Sequence, residues 1–435
     1  MVIGASLRFT FSRLCCCIRA IRPLLGTASR FRSGLRLVAI GALFGVTGSV
    51  THAQQPIRIG ASVSLTGTYA ELGQTVDRGQ KVCVKQANER GGVLGRRIEL
   101  FTEDDQSDPK RAVAIYEKFI EQDKVDAIFS PYSSPITDAV AGVSEKNRMP
   151  MVGCCAASSS LFKKGRSFLF MLLSPAEAYL EGLIDMAAKQ GLKSLAVIYE
   201  DTVFPRSIAQ GTVELAKKRG LQVTVFEGYP AKTTDFSAIL GRMKAASPDV
   251  VAAATYFGDS VAITRQMRDL NVNSRIFAVT VGGDFPKFYE MLGRGAEYVY
   301  GASQWEPELV TLRAGGLVPI ARQYPGAREF VESYHKEFPG TDLSYQTAQG
   351  YSGCQIMLEA IKRVGSLDRE KIRDTIQNME INTAFGAFKV DRDGVQIAHK
   401  MVMFQWQDGK KLVVWPEELA PGRPRFPTPP WSQRP

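Results

Sequence analysis

From Pro56 to Val279 the chain repeats one unit, a short apolar run followed by a longer amphipathic one, and that alternation leaves few folds open to it. Pro56 to Ser64 alternates Ile57, Ile59, Ala61 and Val63, and Leu65-Thr66-Gly67 turns it into a helix from about Glu71 to Arg90. Gly91-Gly92 and Gly95 break that helix. Arg97 to Glu103 reads as a strand, Pro109 to Gln122 as a helix, Val125 to Ser130 as a strand, Ile136 to Asn147 as a helix and Met149 to Gly153 as a strand. Short strands separated by roughly ten-residue helices are the βαβ signal, hence an α/β fold with a parallel sheet covered on both faces.

The same order resumes after Pro175. Helices over Glu177 to Gln190, Phe204 to Arg219, Phe236 to Ala246 and Ser260 to Leu270 alternate with strands over Ser194 to Tyr199, Gln222 to Glu227, Val250 to Thr255 and Arg275 to Val279. Two doubly wound units are therefore expected, which suits a chain of 435 residues, longer than one core usually supports. From Glu306 the order changes. An irregular stretch to Tyr324 precedes helices at about Gly326 to Glu337, Gln346 to Val364 and Arg369 to Gln377, then strands Gly386 to Asp391 and Lys400 to Gln407. These read as returns to the earlier sheets, so that each unit is assembled from non-consecutive segments. The tail from Pro416 is too rich in proline to pack by itself and is expected along the surface.

The net charge of +10 suggests nucleic acid until its source is located. Residues 1–53 hold seven Arg, no Lys and no acid, so without them the balance falls to +3, which is no nucleic-acid footprint. That segment has an Arg-rich head, an apolar run from Leu35 to Val50 and Thr51-His52-Ala53 before Gln54. This is the order of a secretory signal peptide cut after Ala53, with an uncleaved anchor as the competing reading. The long basic head leaves open a true start downstream of Met1. No later stretch is long and apolar enough to span a membrane.

Four cysteines follow the cut, Cys83, Cys154, Cys155 and Cys354, in no zinc-like spacing. Cys83 and Cys354 fall on apolar helix positions, where buried inert thiols are the usual outcome. Export makes one long-range bridge possible without naming its partners, and adjacent cysteines such as Cys154 and Cys155 rarely pair.

A catalytic reading lacks its parts. Of three histidines, His52 leaves with the leader, His335 sits beside Lys336 on an exposed helix, and His399 lies in or near a C-terminal strand. None has a credible nucleophile to serve, and no G-x-S-x-G turn is present. Glu103-Asp104-Asp105 with Asp108 reads either as a hard-metal site or as an Asp-rich loop whose Asp108 caps the helix at Pro109; the loop is favoured, and no metal or cofactor is expected. Gly91 to Gly95 follows a helix rather than a strand, so it is a turn and not a dinucleotide fingerprint.

What remains are strand ends, where ligands of doubly wound sheets sit. In Asp126 to Asp138 a strand stops against Ser133-Ser134-Pro135, with Ser134 expected as N-cap and Pro135 at the first helical position. Such an end is either a plain capped helix or a seat for a carboxylate or carbonyl oxygen, offering unpaired N–H groups, the helix dipole and two hydroxyls. The first unit also offers Thr66-Gly67-Thr68-Tyr69 and Cys155-Ala156-Ala157-Ser158. The second offers Phe204, Tyr256-Phe257 and Gly282-Gly283-Asp284. The hydroxylic set suits a polar head and the aromatic set suits a flat cover closing over it.

The opening IRIGASVSLTGTYAELGQ, the segment NERGGVLGRRIELFTEDDQSDPKRAV and the pair SPYSSP with AASSS resemble the type I periplasmic solute-binding proteins of the leucine/isoleucine/valine-binding class. The resemblance covers nearly the whole mature chain. It implies two lobes joined by three crossings, here near Ser174, Ser303 and Phe385, which close on ligand by a hinge motion. The lobes would comprise 54–174 with 304–384, and 175–303 with 385–415, followed by the tail 416–435. It implies a carboxylate-binding serine at Ser133 or Ser134, further contacts at Ala156, Ala157 and Ser158, and second-lobe aromatics at Phe204 and Tyr256, with Tyr69 and Gly282 beside them. Leu72 stands where the amino-acid binders carry a pocket tyrosine, and Val281-Gly282-Gly283 where they carry a glutamate for the ligand's ammonium. Their cysteine pair is replaced by Ser107 and Tyr132.

The expected function is therefore a periplasmic, monomeric receptor that hands a small amino acid, amide or carboxylate to an ABC-transporter permease, without enzymatic activity and without nucleic-acid partners. A periplasmic sensor feeding a signalling partner is the alternative.

Overall fold

A computed structural model describes residues 55–311 and 326–434. The expected leader and residues 312–324 of the irregular stretch lie outside the described residues.

The first sheet is parallel, in the order β2 (Ile98–Asp104), β1 (Ile57–Val63), β3 (Ala127–Ile128), and the next two strands, β4 (Met151–Gly153) and β5 (Leu169–Met171), form a separate parallel pair. Helices α1 (Ala70–Glu89), α2 (Pro109–Glu117) and α3 (Ser134–Lys146) connect these strands. The second sheet has seven strands in the order β14-β13-β10-β9-β8-β6-β7. Its parallel part is β6 (Ser194–Glu200), β7 (Gln222–Tyr229), β8 (Val250–Ala254), β9 (Ile276–Val279) and β10 (Tyr300–Ser303). β13 (Val402–Gln407) and β14 (Lys410–Trp415) add an antiparallel edge. Around this sheet run α4 (Glu181–Lys189), α5 (Val203–Lys218), α6 (Ser237–Ala246), α7 (Phe257–Asp269) and α8 (Pro286–Leu292). β8, VVAAA, is buried at every residue, as a parallel strand covered on both faces must be.

After α9 (Pro307–Thr311), helices α10 (Ala327–Glu337), α11 (Tyr345–Val364) and α12 (Arg369–Gln377) return to the first lobe, ahead of the hairpin β11 (Ile381–Asn382) and β12 (Ala387–Phe388). α11 lies on α1 with backbone almost touching backbone. A Cβ on Gly79 would strike the Thr347 carbonyl, and one on Gly350 would strike that of Val76. Cys83 of α1 and Cys354 of α11 are joined in a disulfide across this contact, where the sequence favoured two inert thiols. Helix periodicity places both on apolar faces, and nothing local says that the two faces meet.

The chain passes between the two sheets after β5, after β10 and after β12, and buried hydrogen bonds knit the passages together. Ser174 N donates to Gln304 Oε1 (2.9 Å) and Ser174 Oγ to the His399 carbonyl (3.0 Å). His399 Nε2 lies 2.9 Å from the Gln304 carbonyl, its ring stacked on Phe385, and burial lowers its pKa to about 4, so it is neutral. The proline-rich tail lies against the second lobe. Arg425 N donates to Gln405 Oε1 (2.7 Å), Thr428 N to the Arg275 carbonyl (3.0 Å) and Trp431 Nε1 to the Val272 carbonyl (2.7 Å), and the Trp431 ring is buried beneath Arg434. Proline limits the tail's own hydrogen bonds to isolated turns such as Gln433 N to the Pro430 carbonyl (2.8 Å), and its other polar groups and one indole fasten it to the second lobe.

Candidate functional site

Between the lobes lies a narrow cavity lined by Tyr132, Ser133, Ser134, Cys155, Ala157, Leu173, Tyr179, Phe204, Tyr256, Val281, Tyr345 and Gln349. One wall is the start of α3. Ser133, in extended backbone, is the residue before the helix, and Ser134 and Pro135 are its first two residues, so the cap sits one position earlier than the sequence suggested. The Ser133 hydroxyl makes no capping bond. It is buried and has no hydrogen-bond partner within the protein. Ser134 Oγ instead accepts from Ala157 N (3.1 Å), tying the serine turn to the segment after β4. The first N–H groups of α3 and the Ser133 hydroxyl thus converge where the helix dipole is positive.

The facing wall is aromatic. Ring centroids step from Tyr132 to Tyr69 (5.7 Å), Tyr69 to Tyr256 (5.0 Å), Tyr256 to Phe204 (5.6 Å) and Phe204 to Tyr179 (5.2 Å). Burial raises the phenols of Tyr132, Tyr256 and Tyr345, and takes Tyr69 to about 12 with Glu200 adding to the effect. All four remain protonated donors at neutral pH. The Tyr256 hydroxyl is buried and unpartnered.

Charge enters from Asp284. It is fully buried and lies within electrostatic reach of Tyr132, Tyr179 and Tyr345. Its Oδ1 accepts from Gly282 N (3.2 Å), whereas Oδ2 has no partner within the protein. Burial raises its pKa, opposed chiefly by Lys411, whose ammonium donates to the Asp284 carbonyl (2.8 Å) and pairs with buried Glu306 (2.6 Å). One lysine thus stands against two buried carboxylates. From the first lobe, Gln349 Oε1 is likewise buried, and the Gln346 amide faces the Asp284 carboxylate and favours its charged form.

Of the residues singled out in the sequence, Ser133, Ser134, Ala157, Phe204 and Tyr256 line the cavity. Tyr69 stands behind Tyr256, and Ser158 turns its hydroxyl to the Val203 carbonyl of the other lobe (3.3 Å). Ala156 and Leu72 are buried in the core away from the lining. Gly282 holds a left-handed turn (φ +84°) that no side chain could share with Phe257, so its part is in the backbone. Cys155, in the segment named at the end of β4, and Val281 line the cavity as well, whereas Tyr132, Leu173, Tyr179, Tyr345 and Gln349 were not among the candidates. Tyr132, adjoining the serines, carried a usable signal; Tyr345 and Gln349 arrive on a helix that the sequence places far away. The acidic run proves structural: Asp104 accepts from Leu65 N (2.9 Å) and Thr66 Oγ1 (2.7 Å), Asp105 from Ser62 Oγ (2.9 Å) and Ser64 Oγ (2.7 Å), and Asp108 from Arg111 N (2.8 Å) as N-cap of α2.

Residues 56–411 match the family model described as periplasmic binding protein. The chain belongs to the periplasmic binding protein family. Among curated relatives, the Leu/Ile/Val-binding protein homolog 7 of Brucella suis biovar 1 (strain 1330) is 28% identical over 402 residues, covering 86% of this chain and 95% of the relative. Homolog 8 of Brucella abortus (strain 2308) is 26% identical over 408 residues, covering 90% and 99%. Of solved structures, the leucine-binding protein LivK of Thermotoga maritima MSB8 superimposes with a TM-score of 0.72 at 24% identity, over 82% of this chain and 97% of that one. A solute-binding protein of R. palustris in complex with benzoate gives 0.69 at 17%, over 82% and 95%. At these identities the superpositions bear on fold, and the family's two-lobed α/β architecture is the one described above.

Proposed function

We propose that this chain captures a small amino acid, amide or carboxylate between its lobes and delivers it to the membrane permease of an ABC transporter. The observation that carries the reading is a pair of buried polar groups in and behind the cleft wall. A helix N-terminus with a buried serine hydroxyl lines the cavity, and the buried carboxylate of Asp284 lies beyond the lining, within electrostatic reach of the cavity tyrosines Tyr132, Tyr179 and Tyr345. An anionic or carbonyl head at Ser133 and Ser134 satisfies the first. An ammonium or amide N–H at Asp284 satisfies the second, in the role that a glutamate takes in the amino-acid binders.

On this reading the lobes are 54–174 with 304–384 and 175–303 with 385–415, and they swing about the crossings near Ser174, Ser303 and Phe385. The knot of Ser174, Gln304 and His399 supports that placement. The names of the Brucella relatives favour branched aliphatic amino acids, and the benzoate complex favours including acids without an amine. The chain acts outside the cytoplasm, as a monomer and a binder without chemistry of its own.

A thermal-shift screen of the chain from Gln54 onward, against amino acids, amides, ureas and aromatic acids, tests the reading. A solute at about 100 times its Kd adds about 2.7 kcal/mol. Stabilisation by one chemical class is expected, and a flat response across all of them overturns the assignment.

A further inference from the structure

Cys154 and Cys155 follow β4 directly and are the free cysteines among the described residues. Both are buried. Cys155 lines the cavity, whereas Cys154 backs onto the first sheet, its N–H donating to Ser130 Oγ (3.0 Å). Their Sγ atoms are 2.7 Å apart, well inside the roughly 3.5–4.0 Å at which non-bonded heavy atoms rest and beyond the ~2.0 Å of a sulfur–sulfur bond. Neighbouring thiols this close reach bonding distance by a small rotation of their side chains. The same chain carries the Cys83–Cys354 disulfide, so its folded form belongs to surroundings that oxidise thiols.

We propose that Cys154 and Cys155 are a reversible redox pair in the wall of the cleft, a dithiol when reduced and a vicinal disulfide when oxidised, whose state sets the geometry of the Ser134–Ala157 contact. The oxidant is a disulfide, either of a protein or of a small thiol. The Cys155 thiolate attacks one of its sulfurs, giving a mixed disulfide and releasing one thiol. The Cys154 thiolate then displaces the second. Two electrons and two protons leave the cysteines, the oxidant becomes two thiols, and one sulfur–sulfur bond replaces another. Burial pushes the Cys155 thiol up, so the exchange runs while the lobes are apart and water reaches the sulfur. Consecutive Cα atoms are only ~3.8 Å apart, short of the 4.4 Å or more that relaxed disulfides span, which makes a vicinal ring strained and easily reduced. Labile bonds of this kind switch rather than brace.

The link to binding is direct. Closing the ring turns the Cys154–Cys155 peptide, and Ala157, two residues on, donates the N–H that Ser134 Oγ accepts. This consequence for the solute, and the access of the oxidant to Cys155 by opening of the lobes, rest on the function proposed above.

Arg148 and Lys163 flank both cysteines, so one tryptic peptide, 149–163, reports the pair. The chain from Gln54 onward is equilibrated across mixtures of oxidised and reduced dithiothreitol, acid-quenched, alkylated with N-ethylmaleimide, digested and weighed. At the oxidising end the peptide is expected lighter by two hydrogens and unalkylated. At milder reduction it is expected to carry two alkyl groups while Cys83 and Cys354 remain joined. Two alkyl groups throughout, or linkage of either cysteine to another chain segment, overturns the pair. Amide hydrogen exchange of the peptides containing Ser133 and Ala157 is then compared between the two states. A change in the native chain and none in Cys154→Ala is expected, and identical exchange in both states overturns the coupling. Neither measurement uses a solute, so a failed solute screen bears only on the proposed function.

Discussion

Ser133 holds an unusual position: it precedes a helix, yet its hydroxyl neither caps that helix nor bonds elsewhere in the protein. Replacing it with alanine removes no internal bond, so Ser133→Ala is expected to leave the melting temperature nearly unchanged while weakening solute binding by roughly tenfold, about the 1.4 kcal/mol of one hydrogen bond to a charged group. Calorimetric titration with the solute found by screening measures it. Ser134→Ala should cost both affinity and stability, because it also orphans Ala157 N. Glu200 makes a prediction that needs no solute. Burial, reinforced by Asp259, raises its pKa from 4.5 to about 7, so the folded chain holds a proton that the unfolded chain has lost. Stability from this group is therefore fully present below about pH 4.5 and is lost as pH rises towards 7. Glu200→Gln should match the native chain at pH 4.5 and exceed it at pH 8, by about 2–4 °C for each kcal/mol recovered. His399, buried and neutral, titrates in the opposite sense in both proteins and cancels in that difference.

At the scale of elements, legibility in the sequence followed the range of the determining contact. Central parallel strands such as β6 and β8 were readable because a strand buried on both faces must be apolar at nearly every position. Short strands with little pattern of their own were not: β5 has three residues, β10 opens Tyr300-Gly301, and each is held by neighbours distant in the chain. The serine wall was readable for the same reason as a cap, being local chemistry beside a proline. Tyr345 and Gln349 were not, since their place depends on α11 docking against α1. That docking is testable. Replacing Cys83 and Cys354 together by serine frees a loop of sequence separation 271, for which chain entropy suggests a loss of about 5–6 kcal/mol, and denaturant unfolding measures it. Trp431→Ala probes the strap. Losing one buried indole and its bond to the Val272 carbonyl is expected to cost about 3 kcal/mol.

For the molecule as a whole, the three passages between the sheets are where the proposed hinge lies, and Gln304, on one of them, bonds to the other two. Its side chain receives Ser174 N and donates to Tyr179 OH (2.8 Å), and its carbonyl faces His399. Gln304→Ala strands a buried N–H and should loosen the hinge, raising the radius of gyration in small-angle scattering and lowering affinity although the residue lies outside the cavity lining.

The Cys83–Cys354 bridge carries one more consequence, for the order of events when the chain is threaded outward amino end first. If the chain is exported in that order, Cys83 meets Cys154 and Cys155 before its partner Cys354 has emerged. The first lobe is not sealed until most of the second has already appeared.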